Sequence, residues 1–256
     1  MRSNPTVVIP AYNEVRTIGA TLDALHRQTE APSHIIVVNN ASTDDTPNIV
    51  HDRYPGVTLL HEPQKGTGYA ANTGFRHAID VNGARVIMRT DADTVPAKQW
   101  VASGGQYLSA HQNKLAVSGK VLPLKDEHWK LYDEVALPLS YVGYRVGVSM
   151  LKRSRWPLRV LRGANMAIRA STFSEVGGFP DGTIAEVDDD IELGKRVHHH
   201  YGFEALANVG TMVVRTSTRR IRALGYHGLL PYYLNFSGRP MADKRNKMTV
   251  DGVDIR

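Results

Sequence analysis

The stretch TVVIPAYNE at Thr6–Glu14 joins a short apolar run to a polar turn. A run of this length that ends in a turn is typical of a buried strand in a parallel sheet. Because the run stops at Pro10, we interpret the amino terminus as a first strand and not as a signal segment. Further runs predict strands at His34–Asn39, Val57–His61, Ala84–Thr90 and Leu115–Val121.

The segments between these strands have the pattern of helices. Ile18, Leu22 and Leu25 are spaced i, i+4, i+7 and predict one apolar helix face, with Asn13 or Thr17 as the expected cap. Further helices are predicted after Ser42 or Thr43 and at Gly68–Val81. This alternation predicts an α/β fold with a mixed, mostly parallel central sheet and helices on both faces.

Polar residues follow three of the predicted strands at their carboxyl ends. They are Ala11–Glu14 after the first strand, Asn39–Ser42 after the second and Asp91–Asp93 after the fourth. Because ligands bind at the carboxyl ends of strands in such sheets, these three turns predict the mouth of a pocket.

The second half of the chain is less regular. Residues 123–162 mix aromatic residues, prolines and arginines, and we expect an irregular or helical excursion over the sheet. Beyond them the sequence predicts a strand at Gly163–Arg169, a helical turn at Ser171–Val176 and a helix from about Val187 to His200. A polar tail from Arg239 is expected to dock loosely.

Composition narrows the classes of protein. The chain has 256 residues and no cysteine, which excludes disulfides and thiol nucleophiles and suits a cytoplasmic location. No apolar stretch is long enough to span a membrane, since the best candidate, Val135–Leu151, contains Arg145. The net charge of +6 comes partly from two basic clusters, Lys152–Arg162 and Arg215–Arg222. These clusters suit phosphates or anionic lipid headgroups, or simply face solvent, and no motif indicates nucleic acid.

Asp91 and Asp93 carry the strongest chemical indication. Two carboxylates two residues apart, just past the apolar run Val86–Met88, can hold a divalent cation and a ribose hydroxyl. Hard oxygen ligands suit Mg²⁺ or Mn²⁺, which usually retain substrate phosphates as further ligands. Aspartates are also common in ordinary turns, so the strand context is what favours the functional interpretation.

Six blocks in order resemble family 2 glycosyltransferases of the GT-A fold. They are VVIPAYNE (Val7–Glu14), VVNNASTDDT (Val37–Thr46), KGTGYAANTGF (Lys65–Phe75), TDAD (Thr90–Asp93), RGANMAIRASTFSEVGGF (Arg162–Phe179) and DDIELGKR (Asp189–Arg196). The resemblance implies sugar transfer from a nucleotide-diphosphate donor to a hydroxyl on a small-molecule, glycan or lipid-linked acceptor. The family's Gln-x-x-Arg-Trp motif for processive polymer synthesis is absent from the sequence, which favours transfer of a single sugar. It also implies a donor-binding half at 1–122, an acceptor and catalytic half at 123–238, and the tail at 239–256.

The resemblance implies roles for individual residues on the donor side. Asp93 would hold the cation, and Asp91 would contact the ribose or share the cation. Residues that would line the donor pocket are Pro10, Ala11, Tyr12, Glu14, Asn40, Lys65, Gly66 and Asn72. Many relatives have an aspartate at position 39 or 40, where this chain has asparagine, which leaves the preferred base open.

The DDIELGKR block would supply the catalytic base. Transfer with inversion requires a carboxylate to deprotonate the incoming hydroxyl on the face opposite the leaving group. The block aligns Asp190 with that base and Asp189 with the position before it, while Asp188 allows a shift by one. These acids would also favour a helix amino terminus without any catalytic role. On the acceptor side the resemblance implies Asn165, Gly177, Gly178 and Phe179.

Several alternatives remain open at this stage. Relatives often have a histidine ligand about twenty residues after the catalytic helix, where this chain has arginines. We expect Arg215, Arg219 or Arg220 either to bind the diphosphate directly or to lie on the protein surface. Three consecutive histidines, His198–His200, cannot converge on one ion while helical. A retaining GT-A enzyme, a nucleotidyltransferase and a non-catalytic sugar-nucleotide-binding protein are the competing functions.

Overall fold

A central sheet flanked by helices organises the chain. The computed structural model describes residues 4–151, 159–180, 189–219, 221–222, 249–250 and 253–254. Within them the strands are β1 (Thr6–Ala11), β2 (His34–Asn39), β3 (Thr58–His61), β4 (Val86–Arg89), β5 (Thr94–Pro96), β6 (Ala116–Pro123), β7 (Met166–Arg169), β8 (Leu206–Thr216), β9 (Thr249–Val250) and β10 (Val253–Asp254). The helices are α1 (Ile18–His26), α2 (Thr46–Arg53), α3 (Thr67–Asp80), α4 (Trp100–Ala110), α5 (Asp133–Leu151), α6 (Ala170–Glu175) and α7 (Asp189–Tyr201), with a 3-10 turn at Phe203–Ala205.

The sheet is parallel on one side and mixed on the other. Its strand order is β3-β2-β1-β4-β7-β6-β8-β5. β1 runs parallel to β2 and β4, and β2 runs parallel to β3, as the strand–helix alternation predicts. Beyond β4 the directions are mixed. β7 is antiparallel to both β4 and β6, β8 is parallel to β6, and β5 is antiparallel to β8. The predicted fold class is confirmed.

Alternate residues of the buried strands face two separate cores. Val7 and Ile9 pack in the core that contains α1, α2 and α4. Val8 points to the opposite face and packs in the core that contains α3, α6 and α7. Because successive strand side chains point to opposite faces, a strand that is apolar at every position requires cover on both sides. Helices therefore lie on both faces of the sheet.

The structure corrects several element boundaries and adds elements that the sequence did not predict. The strand predicted from Gly163 begins at Met166. The helix predicted from about Val187 is described from Asp189, and Val187 itself lies outside the described residues. α4, β5 and β8 were missing from the prediction. The excursion after residue 122 contains the 19-residue helix α5. The tail after Arg239 lies outside the described residues except for the antiparallel pair β9–β10.

A single glycine allows α3 to pack directly on the parallel strands. A Cβ added at Gly74 would clash with a methyl group of Val8 and lie 2.9 Å from one of Val38. We expect Gly74→Ala to lower the free energy of unfolding by about 1–3 kcal/mol, because overpacking outweighs the gain in helix propensity. Gly143→Ala in α5 is the matched control, since a Cβ there meets nothing within 4 Å. Urea denaturation measures the stability of both variants. Equal stability of Gly74→Ala and Gly143→Ala would contradict the close packing at Gly74.

Candidate active site at the strand ends

The turns after β1 and β2 lock together and form one wall of the site. The backbone N–H of Asn13 donates to the Ser42 hydroxyl at 3.0 Å, and that of Glu14 donates to the Thr46 hydroxyl at 2.8 Å. Asn13 and Ala41 both have positive φ, at 53° and 57°. Such a backbone is unfavourable for alanine, so the cross-bonds must stabilise it. The turns therefore present Glu14 in a fixed position.

Glu14 and Asp93 share one arginine. Arg219 donates through Nη1 to Glu14 Oε2 at 3.0 Å, and Nη2 contacts both Glu14 Oε1 and, at 3.2 Å, Asp93 Oδ2. All three side chains are largely buried. Burial and the charge of Asp93 raise the pKa of Glu14, while Arg219 opposes that rise. This cluster thus brings two acids from the first and fourth strand ends to one cation.

A second buried arginine, Arg89, lies at the end of β4. It is only 2% exposed, and its Nη1 donates to Asp189 Oδ2 at 2.8 Å. Nη2 lies 3.7 Å from Asp91 Oδ1, and the guanidinium lies 5.0 Å from the centre of the Phe179 ring. Burial alone would lower the pKa of Arg89, but Asp189 and Asp91 outweigh it and raise the pKa. The arginine therefore stays charged and joins the donor-side acids to the start of α7.

The two candidate bases, Asp189 and Asp190, have different environments. Asp189 is 7% exposed and is ion-paired with Arg89. Asp190 is half-buried, and its Oδ2 accepts the backbone N–H of Gly163 at 2.6 Å. The Asp189 carboxylate is thus engaged by a buried guanidinium, and breaking that pair would leave a buried charge without its partner. Asp189 therefore forms the ion pair, and Asp190 lies beside it, close enough to contribute to the field at Arg89.

Gly163 is the point where Arg89 and Asp190 come together. A Cβ added there would lie 2.8 Å from both Cζ and Nη2 of Arg89. The glycine thus lets its backbone approach the buried guanidinium while its N–H binds Asp190.

The loop after β3 is organised by Asn40. Its amide donates to the carbonyls of Glu62 and Gln64, at 3.1 and 2.7 Å, and its oxygen accepts the Gly66 N–H at 2.8 Å. Gly66 has φ of 147°, which favours glycine. Lys65 donates to the Tyr12 hydroxyl at 2.6 Å, above the turn that follows β1. Asn40 therefore fixes the loop that carries Lys65 toward the strand ends.

Asn72 holds the acceptor-side turn in place. Its amide donates to the Phe179 carbonyl, and its oxygen accepts the Phe179 N–H, both at 3.0 Å. Gly177 and Gly178 have φ of 80° and 71°, and a Cβ at Gly178 would lie 2.8 Å from the Asn72 oxygen. Phe179 itself is buried. The turn is thus anchored to α3 by two hydrogen bonds from the Asn72 side chain to the Phe179 backbone, and by an edge-on contact between the Phe75 and Phe179 rings.

The structure corrects the expectation that Asn165 reaches a ligand. The side chain is fully buried, and its oxygen accepts the indole N–H of Trp100 at 2.8 Å. Its nitrogen donates to the carbonyls of Lys120 and Met212, at 2.8 and 3.1 Å. Asn165 therefore ties β6, β8 and α4 together around the sheet.

The remaining predicted residues are placed as follows. Pro10 and Ala11 are buried in β1. Arg215 donates to the Pro123 carbonyl and to Glu134, away from Asp93. Arg220 and Asp188 lie outside the described residues. Among the residues that the structure describes, no group of three His, Asp or Glu side chains could hold a metal ion.

Sequence reasoning missed Arg89 as a site residue. A charged residue directly after Val86-Ile87-Met88 stands in a strand that is otherwise buried. Because a buried charge requires an opposite charge, its presence indicates acids nearby, and that pattern could have identified it.

Comparison with known families identifies the chain. The model of the family described as glycosyl transferase family 2 matches residues 6–176. The chain belongs to glycosyl transferase family 2. Among its curated relatives are glycosyltransferase AglE of Haloferax volcanii, 29% identical over 72% of this chain and 58% of the relative, and the probable glycosyltransferase YdaM of Bacillus subtilis, 31% identical over 76% and 46%. The chain thus spans about half the length of the curated relatives it matches.

Solved structures of low sequence identity share the fold of this family 2 chain. A mannosyltransferase from Pyrobaculum calidifontis superposes with a TM-score of 0.64 at 24% identity, covering 92% of this chain and 64% of that one. Glucosyl-3-phosphoglycerate synthase from Mycobacterium tuberculosis gives 0.64 at 18% identity, covering 94% and 82%. The fold is that of the GT-A glycosyltransferases. No described helix of the chain is both long and apolar enough to cross a membrane.

The buried arginine of this family 2 site gives a stability test. We expect Arg89→Met to lower the free energy of unfolding by about 3–5 kcal/mol, because it leaves Asp189 buried without its cation. Arg16→Met is the control, since Arg16 pairs with Glu127 at the surface and should contribute at most about 1 kcal/mol. Equal urea midpoints for the two variants would contradict the role given to Arg89.

Proposed function

We propose that the chain transfers a single sugar from a nucleotide-diphosphate donor to a hydroxyl acceptor with inversion, assisted by Mg²⁺ or Mn²⁺. The observation that carries this proposal is the bridge from Asp91 through Arg89 to Asp189, which adjoins Asp190. It connects acids suited to a cation with an acid suited to proton transfer at one edge of the sheet. Family membership supports the reaction class.

The donor would bind at the turns after β1, β2 and β4. Glu14, Tyr12 and Lys65 lie on the walls of this region, and Asn40 keeps the Lys65 loop in position. We assign residues 1–122 to donor binding and residues 123–238 mainly to the acceptor and the base. A solved structure of the same fold supports this assignment of the donor site, since the Pyrobaculum enzyme is described in complex with GDP-mannose and Mn²⁺.

Asp93 is the candidate cation ligand, with Asp91 beside it. Carboxylate oxygens are the hard donors that Mg²⁺ and Mn²⁺ prefer. The hydroxyls of Thr94 and Thr216 contact Oδ1 of Asp93 at the long distances of 3.4 and 3.5 Å. When bound, the cation would neutralise charge that develops on the leaving diphosphate. These residues fit such an ion, provided that phosphate and water complete its shell.

Arg219 would serve the diphosphate in the same region. Without ligand it neutralises Glu14 and Asp93, so these acids can stay close together. A guanidinium fork also matches phosphate oxygens. We therefore assign Arg219 to the diphosphate when the donor is bound, with Glu14 orienting it; Arg220 is assigned to the same group by sequence alone.

Asp190 is the proposed base. Its Oδ2 is oriented by the Gly163 N–H, and Asp189 is occupied by Arg89. An acceptor hydroxyl placed beside this carboxylate would lose its proton to Asp190 as its oxygen attacks the anomeric carbon and the nucleotide diphosphate leaves. The turn at Gly177–Phe179 would shape the acceptor side through its bonds with Asn72.

Substitution of Asp93 tests the donor site. We expect Asp93→Ala to abolish the Mn²⁺-dependent part of nucleotide-diphosphate affinity, because the main carboxylate ligand is lost. Isothermal titration calorimetry with UDP, GDP and dTDP, with and without Mn²⁺, measures that affinity. Asp23→Ala, at a surface acid of α1, is the control. Unchanged Mn²⁺-dependent affinity in Asp93→Ala would exclude Asp93 as the ligand.

Substitution of the two adjacent acids tests the base. We expect Asp190→Asn to leave donor affinity nearly unchanged while turnover falls by about 10²–10⁴-fold, as for loss of a general base. Asp189→Asn should instead lower thermal stability, because it breaks the pair with Arg89. The base would be Asp189 if only Asp189→Asn lost activity at normal donor affinity. The anomeric configuration of the product, read by NMR, tests inversion: retention would contradict it.

A further inference from the structure

The segment that carries Arg219 is fixed on both sides of that residue. Before it, the backbone N–H of Ser217 donates to the Asp93 carbonyl at 3.1 Å. After it, Arg222 donates through Nε to the His128 carbonyl at 2.7 Å. One of these contacts is made to the backbone of Asp93 itself. The guanidinium of Arg219 is therefore held near Asp93 by the fold, and a change of partners requires only a movement of its side chain.

The two acids beside Arg219 are bound in different ways. Nη1 and Nη2 together contact both carboxylate oxygens of Glu14, whereas Oδ2 of Asp93 lies 3.2 Å from Nη2. Thr17 also fixes Glu14, since its hydroxyl donates to Oε2 at 2.6 Å. A bidentate pair between a guanidinium and a carboxylate is strong and directional. Asp93 is therefore the acid that Arg219 can release while it stays bound to Glu14.

Asp93 is also the proposed ligand of the divalent cation. Its side chain is only 14% exposed, so solvent screens charges around it less than at the surface. A guanidinium 3.2 Å from Oδ2 and a divalent cation on the same carboxylate would repel each other. Tight binding of the cation at Asp93 therefore requires that Arg219 moves away from this acid.

A diphosphate can replace the contact that Arg219 gives up. Phosphate oxygens match the guanidinium fork, and they are also the ligands that Mg²⁺ and Mn²⁺ usually retain from a substrate. One diphosphate can therefore bind the guanidinium and the divalent cation together. The divalent cation alone offers Arg219 no replacement for Asp93.

We propose that Arg219 makes cation binding at Asp93 dependent on the nucleotide diphosphate. Arg219 competes with Mg²⁺ or Mn²⁺ for Asp93 in the absence of donor, and it moves to the diphosphate when the donor binds. This inference rests on the proposed function, because it takes Asp93 as the cation ligand. By linkage, the nucleotide raises cation affinity by the same factor as the cation raises nucleotide affinity.

Titration with Mn²⁺, followed by electron paramagnetic resonance, tests the competition. The whole chain is titrated with Mn²⁺ alone and then with saturating UDP, GDP or dTDP, with correction for Mn²⁺ bound to free nucleotide. We expect the nucleotide to raise the Mn²⁺ affinity of the parent chain by about ten-fold or more, within the usual range of coupling between sites. Arg219→Met should bind Mn²⁺ alone about ten-fold more tightly than the parent chain, and its gain from the nucleotide should fall by about the same factor.

Three further variants separate charge, location and general electrostatics. Arg219→Lys keeps the positive charge without the fork, so its affinity for Mn²⁺ alone should stay close to that of the parent chain. The double variant Arg219→Met/Asp93→Ala should lose the gain of Arg219→Met, because that gain needs the Asp93 carboxylate. Arg16→Met removes the same charge at an exposed pair with Glu127 and should bind Mn²⁺ like the parent chain. Circular dichroism checks that each variant retains the fold.

Equal affinity of Arg219→Met and the parent chain for Mn²⁺ alone would overturn the proposal. So would a parent chain that binds Mn²⁺ equally well with and without nucleotide, a measurement that needs no variant. A gain in Arg219→Met that persists after Asp93→Ala would place the extra cation elsewhere and would also overturn it. Absence of sugar transfer from every nucleotide-diphospho-sugar would instead contradict the proposed function, while the competition for Asp93 would still be measured by Mn²⁺ binding.

Discussion

The buried guanidinium of Arg89 is the interaction on which the site depends. It stands at the end of a central strand with almost no exposure, where a lone charge would be very unfavourable. Asp189 and Asp91 compensate it at its two terminal nitrogens, and Gly163 leaves the space it needs. Because one cation serves both acids, the strand end that follows β4 and the start of α7 are held at a fixed separation. A glycosyl transfer needs that constraint, since donor and base must face one reacting carbon.

Arg219 is a second arginine that holds two acids close together. It keeps Glu14 and Asp93 together in the absence of ligand, although burial and mutual repulsion disfavour two charged acids there. Arg219 is less deeply buried than Arg89 and comes from a segment after the last long strand. In the proposed function, Arg89 keeps its partners throughout, and Arg219 exchanges one of its acids for the diphosphate when the donor binds.

The parallel half of the fold was predictable because its strands are short apolar runs that end in polar turns. β5 has three residues and β8 alternates only partly, so neither gives a clear period. The positions of Asp93 and Asp190 followed from motif resemblance. The different environments of Asp189 and Asp190 could not be predicted from that resemblance, because they depend on the end of β4, a strand that is distant in sequence. Asn165 and Asn72 are polar residues in recognisable blocks, yet their amides serve backbone groups. The three-dimensional packing, and not the sequence, distinguishes asparagines that bond to backbone groups from asparagines that bind a ligand.

The most direct test of the proposed site is a crystal structure of the chain with Mn²⁺ and an unreactive nucleotide-diphospho-sugar. We predict that Mn²⁺ binds an Asp93 oxygen at about 2.0–2.2 Å together with diphosphate oxygens, as for a small hard cation. Arg89 should still bind Asp189, and the Asp190 carboxylate should face the anomeric carbon from the side opposite the diphosphate. A cation held without Asp93, or an Asp190 side chain directed away from the sugar, would contradict the proposed mechanism.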